Sequence, residues 1–302
     1  MASAEAVIET ARLTKWYGRR RGIEDVTFSV APGEIFGFLG PNGAGKTTTI
    51  RCLLGFVRPQ RGSSRLFGMP VQRIDRARLG VVPGELSLFE RMTGAQLLDY
   101  LAGLTGRRPA ERADLLARFA LGAADLAKPI RQYSKGMKQK LGIVQALQHG
   151  PELLILDEPT EGLDPLMQQQ FYLLLAELRA RGRTVFLSSH LLWEVERTCD
   201  RVAIIRNGQL VALDRIDTLR ARSIRRVEVH FAEPAEVGRF APPGGVVVEE
   251  VQGARATLRV PVPQIGPTLA ALAARRVLDL VWERPSLEDV FLGFYREGRD
   301  GR

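Results

Sequence analysis

Two runs that alternate apolar and polar residues, Val7 to Leu13 and Ile23 to Val30, predict half-buried strands of an antiparallel hairpin with Arg19 to Gly22 as its turn. Ile35 to Leu39 is apolar throughout and predicts a buried strand, and Thr48 to Leu54 fits a helix. Pro59 to Gly62 and Gly68 then punctuate short strands, and Leu79 to Val82 reads as a buried strand ending at Pro83. From Thr93 to Gly150 the period becomes helical, with Leu97, Leu98, Leu101 and Leu104 on one face and Leu115, Leu116, Phe119 and Leu121 on another. The sheet pattern resumes at Leu153 to Leu156. It continues through a helix from about Pro165 to Arg181, a strand Thr184 to Leu187, a helix from about Leu191 to Arg197, and a hairpin Val202 to Leu213 turning at Asn207-Gly208. Strands alternating with helices predict an α/β fold with a mainly parallel core sheet and its ligand at the carboxyl ends of the strands.

Beyond Arg215 the texture changes to strand (Arg226 to Phe231), helix (Glu233 to Phe240), strand (Val246 to Val251), strand (Ala256 to Val260), helix (Gln264 to Ala273) and strand (Val277 to Glu283). That order is the split βαββαβ unit, so residues 216–302 are expected to form a small α+β ferredoxin-like domain after a first domain spanning 1–215. A last helix, Ser286 to Arg296, carries Leu287, Val290, Phe291 and Phe294 on one stripe, with Ser286 as its cap.

Composition narrows the setting. At 302 residues the chain has room for one large core and a smaller second domain. No apolar run approaches the roughly 18 to 20 residues needed to cross a bilayer. The N-terminal Met1-Ala2-Ser3-Ala4-Glu5 has neither a basic nor an apolar signal region, so an intracellular protein is expected. Cys52 and Cys199 stand far apart with no metal-ligand spacing and are expected to be reduced, partly buried thiols. The net charge of +9 suggests nucleic acid, but the excess lies in the first domain, with 30 basic and 22 acidic residues up to Arg215 against 13 and 12 from Ile216 onward. Most of those charges are scattered, and Arg19-Arg20-Arg21 reads as a solvated turn. A patch facing a polyanionic ligand or anionic lipid headgroups explains the excess as well.

The chemistry begins at Gly40-Pro41-Asn42-Gly43-Ala44-Gly45-Lys46-Thr47, a complete P-loop between a buried strand and a helix. Its glycines let backbone N–H groups surround a polyphosphate, Lys46 reaches the β and γ groups, and Thr47 offers a hydroxyl to Mg²⁺. Downstream, Leu153 to Leu156 ends in Asp157-Glu158: the first carboxylate suits the metal and the second suits a general base for water attacking the γ-phosphate.

These motifs, with those that follow, resemble the ABC-type ATPases over nearly the whole of residues 5–215. Tyr133-Ser134-Lys135-Gly136-Met137 resembles that family's signature segment, Pro159 to Asp164 its D-loop, Ser188-Ser189-His190 its switch histidine, and Tyr17 its adenine-stacking aromatic. Taken singly, His190 also suits a helix-capping histidine and Tyr17 a packed hairpin aromatic. The resemblance implies an ABC cassette with an antiparallel N-terminal β region and a helical subdomain at about 86–150, on which a membrane partner docks. It implies an ATPase binding ATP through Tyr17, the P-loop and Thr48, with Mg²⁺ at Thr47 and Asp157 and with Lys46, Glu158 and His190 catalytic. Two cassettes would pair head to tail, so that Ser134, Lys135, Gly136 and Met137 act in trans and Asp164 communicates across the dimer.

Two departures from the family pattern stand out. Where members carry a Mg²⁺-binding glutamine after the strand, Pro83 is followed by Gly84 and Glu85; either Glu85 substitutes or water fills the position. Lys135 and Met137 replace a glycine and a glutamine of the signature, a form that resembles exporters of the ABC-2 class. Pro285 to Leu292 resembles the tail of drug- and polysaccharide-exporter ATPases, including the daunorubicin-resistance type, in which an accessory C-terminal domain affects pairing or regulation. The implied function is the ATPase subunit of an exporter, peripheral on the inner face of the cell membrane and driving a separate transmembrane permease. A soluble ABC ATPase acting on nucleic acid or the ribosome is the alternative, which the single cassette and the absence of heptads disfavour. A P-loop small-molecule kinase leaves Tyr133 to Met137 and His190 unexplained.

Overall fold

Alternation along the first thirty residues yields the antiparallel pair β1 (Ile8–Tyr17) and β2 (Arg20–Val30) in the computed structural model, which describes residues 6–221 and 224–282. The chain continues through β3 (Ile35–Leu39), α1 (Lys46–Leu53), β4 (Arg61–Leu66), β5 (Met69–Pro70) and β6 (Leu79–Val82). Four helices follow: α2 (Gly94–Thr105), α3 (Arg112–Arg118), α4 (Ala123–Leu126) and α5 (Lys135–Leu147). The first of these starts where Thr93 accepts from the Gln96 N–H and the Gln96 side chain returns to the Thr93 N–H, a reciprocal capping box. The sheet elements resume with β7 (Leu153–Asp157), α6 (Pro165–Ala180), β8 (Thr184–Ser189), α7 (Leu192–Thr198), β9 (Arg201–Arg206) and β10 (Gln209–Arg215).

These strands form two sheets, an antiparallel one in the order β2-β1-β4-β5 and a six-stranded one in the order β10-β9-β3-β8-β7-β6. The pairings β9–β3, β3–β8, β8–β7 and β7–β6 are parallel, so their carboxyl ends share one edge. Phe28 on β2 stacks on Phe36 and Phe186 with ring centroids 5.3 and 5.8 Å away and closes on Phe38 at 5.6 Å, which joins the two sheets through one aromatic core. Cys52 and Cys199 are buried, and burial pushes their thiols up to about 11 and about 12.

Local details differ from the sequence pattern. The P-loop helix starts at Lys46 rather than Thr48, because Gly45 at φ 113° turns the chain directly into it. In α2 the buried face is Leu97, Leu98 and Ala102, whereas Leu104 in the last turn is 66% exposed beside the equally open Phe56.

The chain divides into compact units at Leu213/Asp214. In the second, α8 (Ile216–Ala221) precedes β11 (Ile224–Phe231), α9 (Pro234–Arg239), β12 (Val247–Gln252), β13 (Arg255–Pro261), α10 (Ile265–Ala273) and β14 (Val277–Trp282). Its sheet runs β12-β13-β11-β14 with every pair antiparallel, the arrangement that a split βαββαβ order gives. Val227, Val229, Phe231, Leu258 and Val260 form its core. The predicted helix Ser286 to Arg296 and the Pro285 to Leu292 segment lie outside the described residues.

Candidate functional site

Parallel pairing brings the residues that follow β3, β7 and β8 to one edge of the sheet, and the first of them fold into a cradle. Lys46, only 6% exposed, donates from Nζ to the carbonyls of Gly40 at 2.6 Å and Pro41 at 3.3 Å. The same ammonium lies 3.0 Å from Glu158 Oε1. Two of its three protons serve the carbonyls, and Oε1 lacks an aligned donor, so this contact is an ion pair and not a directed hydrogen bond. Thr47 Oγ1 donates to Asp157 Oδ2 at 2.8 Å.

Asp157 ends β7 opposite Ser188 of β8, whose hydroxyl donates to Asp157 Oδ1. Ser188 also receives the Glu158 N–H, on its carbonyl at 3.2 Å and on its hydroxyl at 3.3 Å. Glu158 adopts φ 50°, a left-handed conformation that costs a non-glycine residue about 1 kcal/mol and swings its carboxylate off the strand. One oxygen then faces Lys46 and the other lies 2.7 Å from His190 Nδ1. Glu158 is therefore held between the P-loop and the end of β8.

The adjoining cavity, about 320 Å³, is lined by Tyr17, Asn42, Gly43, Gly45, Lys46, Thr47, Thr48 and Glu158. Tyr17 is 44% exposed, as a ring offered to a planar ligand would be. Arg20 and Arg21, read above as part of a solvated turn, line this cavity together with Arg51, and Arg21 pairs with Glu24 at 2.9 Å. Their position just beyond Tyr17 was the available signal. Gly40, Pro41 and Ala44 contribute backbone: the Ala44 N–H bonds to the Pro41 carbonyl, and the Ala44 carbonyl accepts from Gly208.

Ser134, Lys135, Gly136 and Met137 do not line this cavity. Ser134 caps α5 by accepting from the Met137 N–H at 3.2 Å, and Lys135 Nζ reaches Glu161 Oε1 at 2.5 Å. Gln139 donates to the Pro159 carbonyl at 2.7 Å, so the start of α5 leans on the loop after Glu158 in the same chain. Asp164 caps α6, accepting from the Met167 N–H at 2.9 Å. Glu85 is exposed, while the Gly84 backbone approaches Asp157 so closely that a Cβ there would lie 3.1 Å from Oδ2.

The donor set fits a hard cation. A threonine hydroxyl and a carboxylate stand side by side at the cavity edge, and no cluster of three or more His, Cys, Asp or Glu among the described residues offers a complete protein cage. Such a sparse oxygen set suits Mg²⁺, which keeps waters and takes its remaining ligands from phosphate. Sequence reading gave no role to Ser188, nor to the fully buried Glu194, which receives the hydroxyls of Thr160 at 2.8 Å, Tyr172 at 3.3 Å and Ser189. Burial pushes the Glu194 carboxyl above the usual range, the three hydroxyls oppose that, and the Glu158 charge adds to it.

Comparison with known proteins finds similarity along most of the chain. The profile of the family described as ABC transporter matches residues 23–161. The chain is 37% identical over 296 residues to Nod factor export ATP-binding protein I of Paraburkholderia xenovorans, covering 95% of this chain and 96% of that protein. It is 37% identical over 231 residues to the bacitracin transport ATP-binding protein BcrA of Bacillus licheniformis, covering 75% and 76%. A solved ATP-binding subunit of an ABC transporter superposes with a TM-score of 0.66 at 35% identity, over 71% of this chain and 92% of that one. A nucleotide-free cassette from an ABC transporter shares the fold at 22% identity, with a TM-score of 0.60 over 70% and 92% of the two chains.

Proposed function

The chain belongs to the ATP-binding proteins of the ABC transporter family, which are ATPases, and from that premise we propose that it powers an exporter of the ABC-2 class built around a separate transmembrane chain. The observation that carries this reading is the convergence of Lys46, Thr47, Asp157, Glu158 and His190 at one sheet edge. In it, ATP stacks its base on Tyr17 and lays its phosphates against the N–H groups of Gly43, Gly45, Lys46, Thr47 and Thr48, with Lys46 turning from Glu158 to the β and γ groups. Thr47 and Asp157 hold Mg²⁺, which when bound neutralises charge on the phosphate oxygens. Glu158, released by Lys46, accepts the proton of the attacking water, and His190 orients Glu158 and contacts the γ-phosphate.

Completion of the site by a second copy is part of the same reading. Ser134, Lys135, Gly136 and Met137 lie away from the cavity at a helix start, which supports their acting on the partner subunit's nucleotide, with Asp164 carrying the signal between subunits. No helix among the described residues is long and apolar enough to cross a membrane, so the permease is assigned to another chain, with this one peripheral on its cytoplasmic side. Phe56 and Leu104, 70% and 66% exposed beside one groove where the chain after α1 meets the helical subdomain, support docking of an apolar helix there. The relative named for Nod factor export supports export as the direction, and the region after residue 215 is assigned an accessory, regulatory role.

The test is ATP turnover and ATP-dependent size for the wild type and Glu158→Gln, alone and co-expressed with a candidate membrane chain that carries several apolar spans. Glu158→Gln is expected to accumulate an ATP-bound dimer without turnover; unchanged turnover removes the assigned base. Indifference of both activity and membrane recruitment to the co-expressed chain removes the exporter assignment.

A further inference from the structure

Behind the site lies a carboxylate that the chemistry above does not use. Glu194, in the first turn of α7, is fully buried, and no basic side chain pairs with it among the described residues. Leaving such a group unpaired is costly, and a leucine would fill the same space without that cost. Its partners are instead three hydroxyls from three different segments. Oε1 receives Thr160 at 2.8 Å and Tyr172 at 3.3 Å, and Oε2 receives Ser189.

Each segment leads directly into the proposed machinery. Ser189 is the last residue of β8 and precedes His190, and its hydroxyl also accepts the Leu191 N–H at 3.0 Å, so it fixes both sides of the histidine. Thr160 stands two residues after Glu158 and opens the loop to Asp164, with its carbonyl and that of Leu163 facing Gln168 Nε2 at 3.5 and 3.3 Å. Tyr172 belongs to α6, the helix that Asp164 caps, and Trp193 packs edge-on against its ring at 5.8 Å. Adjacent serines thus divide the work: Ser188 holds Asp157 and the Glu158 backbone, while Ser189 holds Glu194.

We propose that Glu194 is a positioning residue that ties the Ser189–His190 strand end to the Thr160–Asp164 loop, so that displacement of this loop by a second subunit is transmitted to His190 and Glu158. The inference rests on the roles given above to His190, Glu158 and Asp164. It accounts for a buried acid whose hydrogen bonds all go to chain segments that must move together. Its loss changes turnover and leaves the nucleotide-binding surface untouched, because Glu194 does not line the cavity.

The experiment uses the full chain, with phosphate release and ATP titration for Glu194→Gln, Thr160→Val, Thr160→Ser and the Glu194→Gln/Thr160→Val pair, each with a thermal unfolding midpoint. Glu194→Gln and Thr160→Val are each expected to lower kcat about ten-fold, the worth of one hydrogen bond to a charged group. The ATP KM should stay within about two-fold of wild type, which separates a loss in the reacting complex from a loss of binding. Thr160→Ser restores turnover, and the double substitution adds no further loss if the two act through one contact. A purely structural role would instead lower the unfolding midpoint and leave kcat per folded site unchanged, and that result overturns the proposal. So does a kcat within about two-fold of wild type for both Glu194→Gln and Thr160→Val. Glu158→Gln, run in parallel, separates the two levels: if it abolishes turnover while the Glu194 and Thr160 variants match wild type, only the coupling fails. If it leaves turnover intact, the site reading beneath the proposal fails.

Discussion

Lys46 and Glu158 meet at 3.0 Å although they follow β3 and β7, two strands separated by β8. On the proposed reading the cation of the P-loop and the carboxylate after β7 depend on each other, since a phosphate that recruited Lys46 would free Glu158. Lys46→Met keeps the buried stem and removes the charge. ATP affinity is expected to fall by about ten- to a hundred-fold, since charge-assisted bonds to phosphate are among the strong ones. Fluorescence titration with ATP reads this directly; affinity within a factor of about two would place the phosphate elsewhere.

Gly84 permits the chain to pass beside the Asp157 carboxylate, where an added Cβ would lie 3.1 Å from Oδ2 and 3.3 Å from Cγ. Because Oδ2 also receives Thr47, a push on it disturbs both residues assigned to Mg²⁺. Gly84→Ala is expected to raise the Mg²⁺ concentration for half-maximal turnover by about ten-fold, as other changes beside metal ligands do. A magnesium titration of ATP hydrolysis checks it, and an unchanged midpoint would show that Asp157 has room to yield.

Phe186 on β8 is fully buried and faces Phe28, Phe36 and Phe38 at centroid distances of 5.8, 5.9 and 5.4 Å. It joins the parallel sheet to the antiparallel one, so no nearby side chain collapses into the space it leaves. Phe186→Ala is expected to cost about 3–5 kcal/mol and Phe186→Leu about 1 kcal/mol, measured by urea unfolding. Equal losses from the two would argue against a cavity as the cause.

The contrast between Asp157 and Ser188 shows what the sequence carries and what it hides. Asp157 and Glu158 are legible because they are consecutive and end an apolar strand, and the P-loop is legible because its spacing is local. Ser188 bonds Asp157 through the register of two strands 31 residues apart, and Glu194 gathers hydroxyls from segments up to 34 residues away. Periodicity fixes which face a residue takes within an element, not which strand pairs beside it. The same limit explains Leu104, whose helical spacing matches the buried face of α2 while its position in the last turn leaves it beside Phe56 in solvent. Arg20 and Arg21 look like any basic turn until hairpin and P-loop are placed together around one cavity.

His149 gives the fold a built-in sensitivity to acid. Its Nε2 lies 3.0 Å from the Leu79 carbonyl, which only accepts, so Nε2 carries the proton and the neutral ring leaves Nδ1 bare. Nδ1 is buried without a partner, and protonating it would place an unsatisfied donor and a charge inside the protein. Burial accordingly lowers the His149 pKa below the ordinary imidazole value; the Leu79 carbonyl and Glu111 oppose this, and Arg107 and Arg183 add to it. With the folded value depressed, the unfolded chain binds more protons in the window between the two values, so stability rises with pH there. The contribution is fully present above about pH 6.5 and is lost as pH falls from there through the lower folded value. His149→Gln keeps a donor for Leu79 and does not titrate, so its stability should change less between pH 7.5 and pH 5.5 than that of the wild type. Urea midpoints of the two proteins at both pH values decide it: parallel losses would mean that the acid sensitivity arises from other groups.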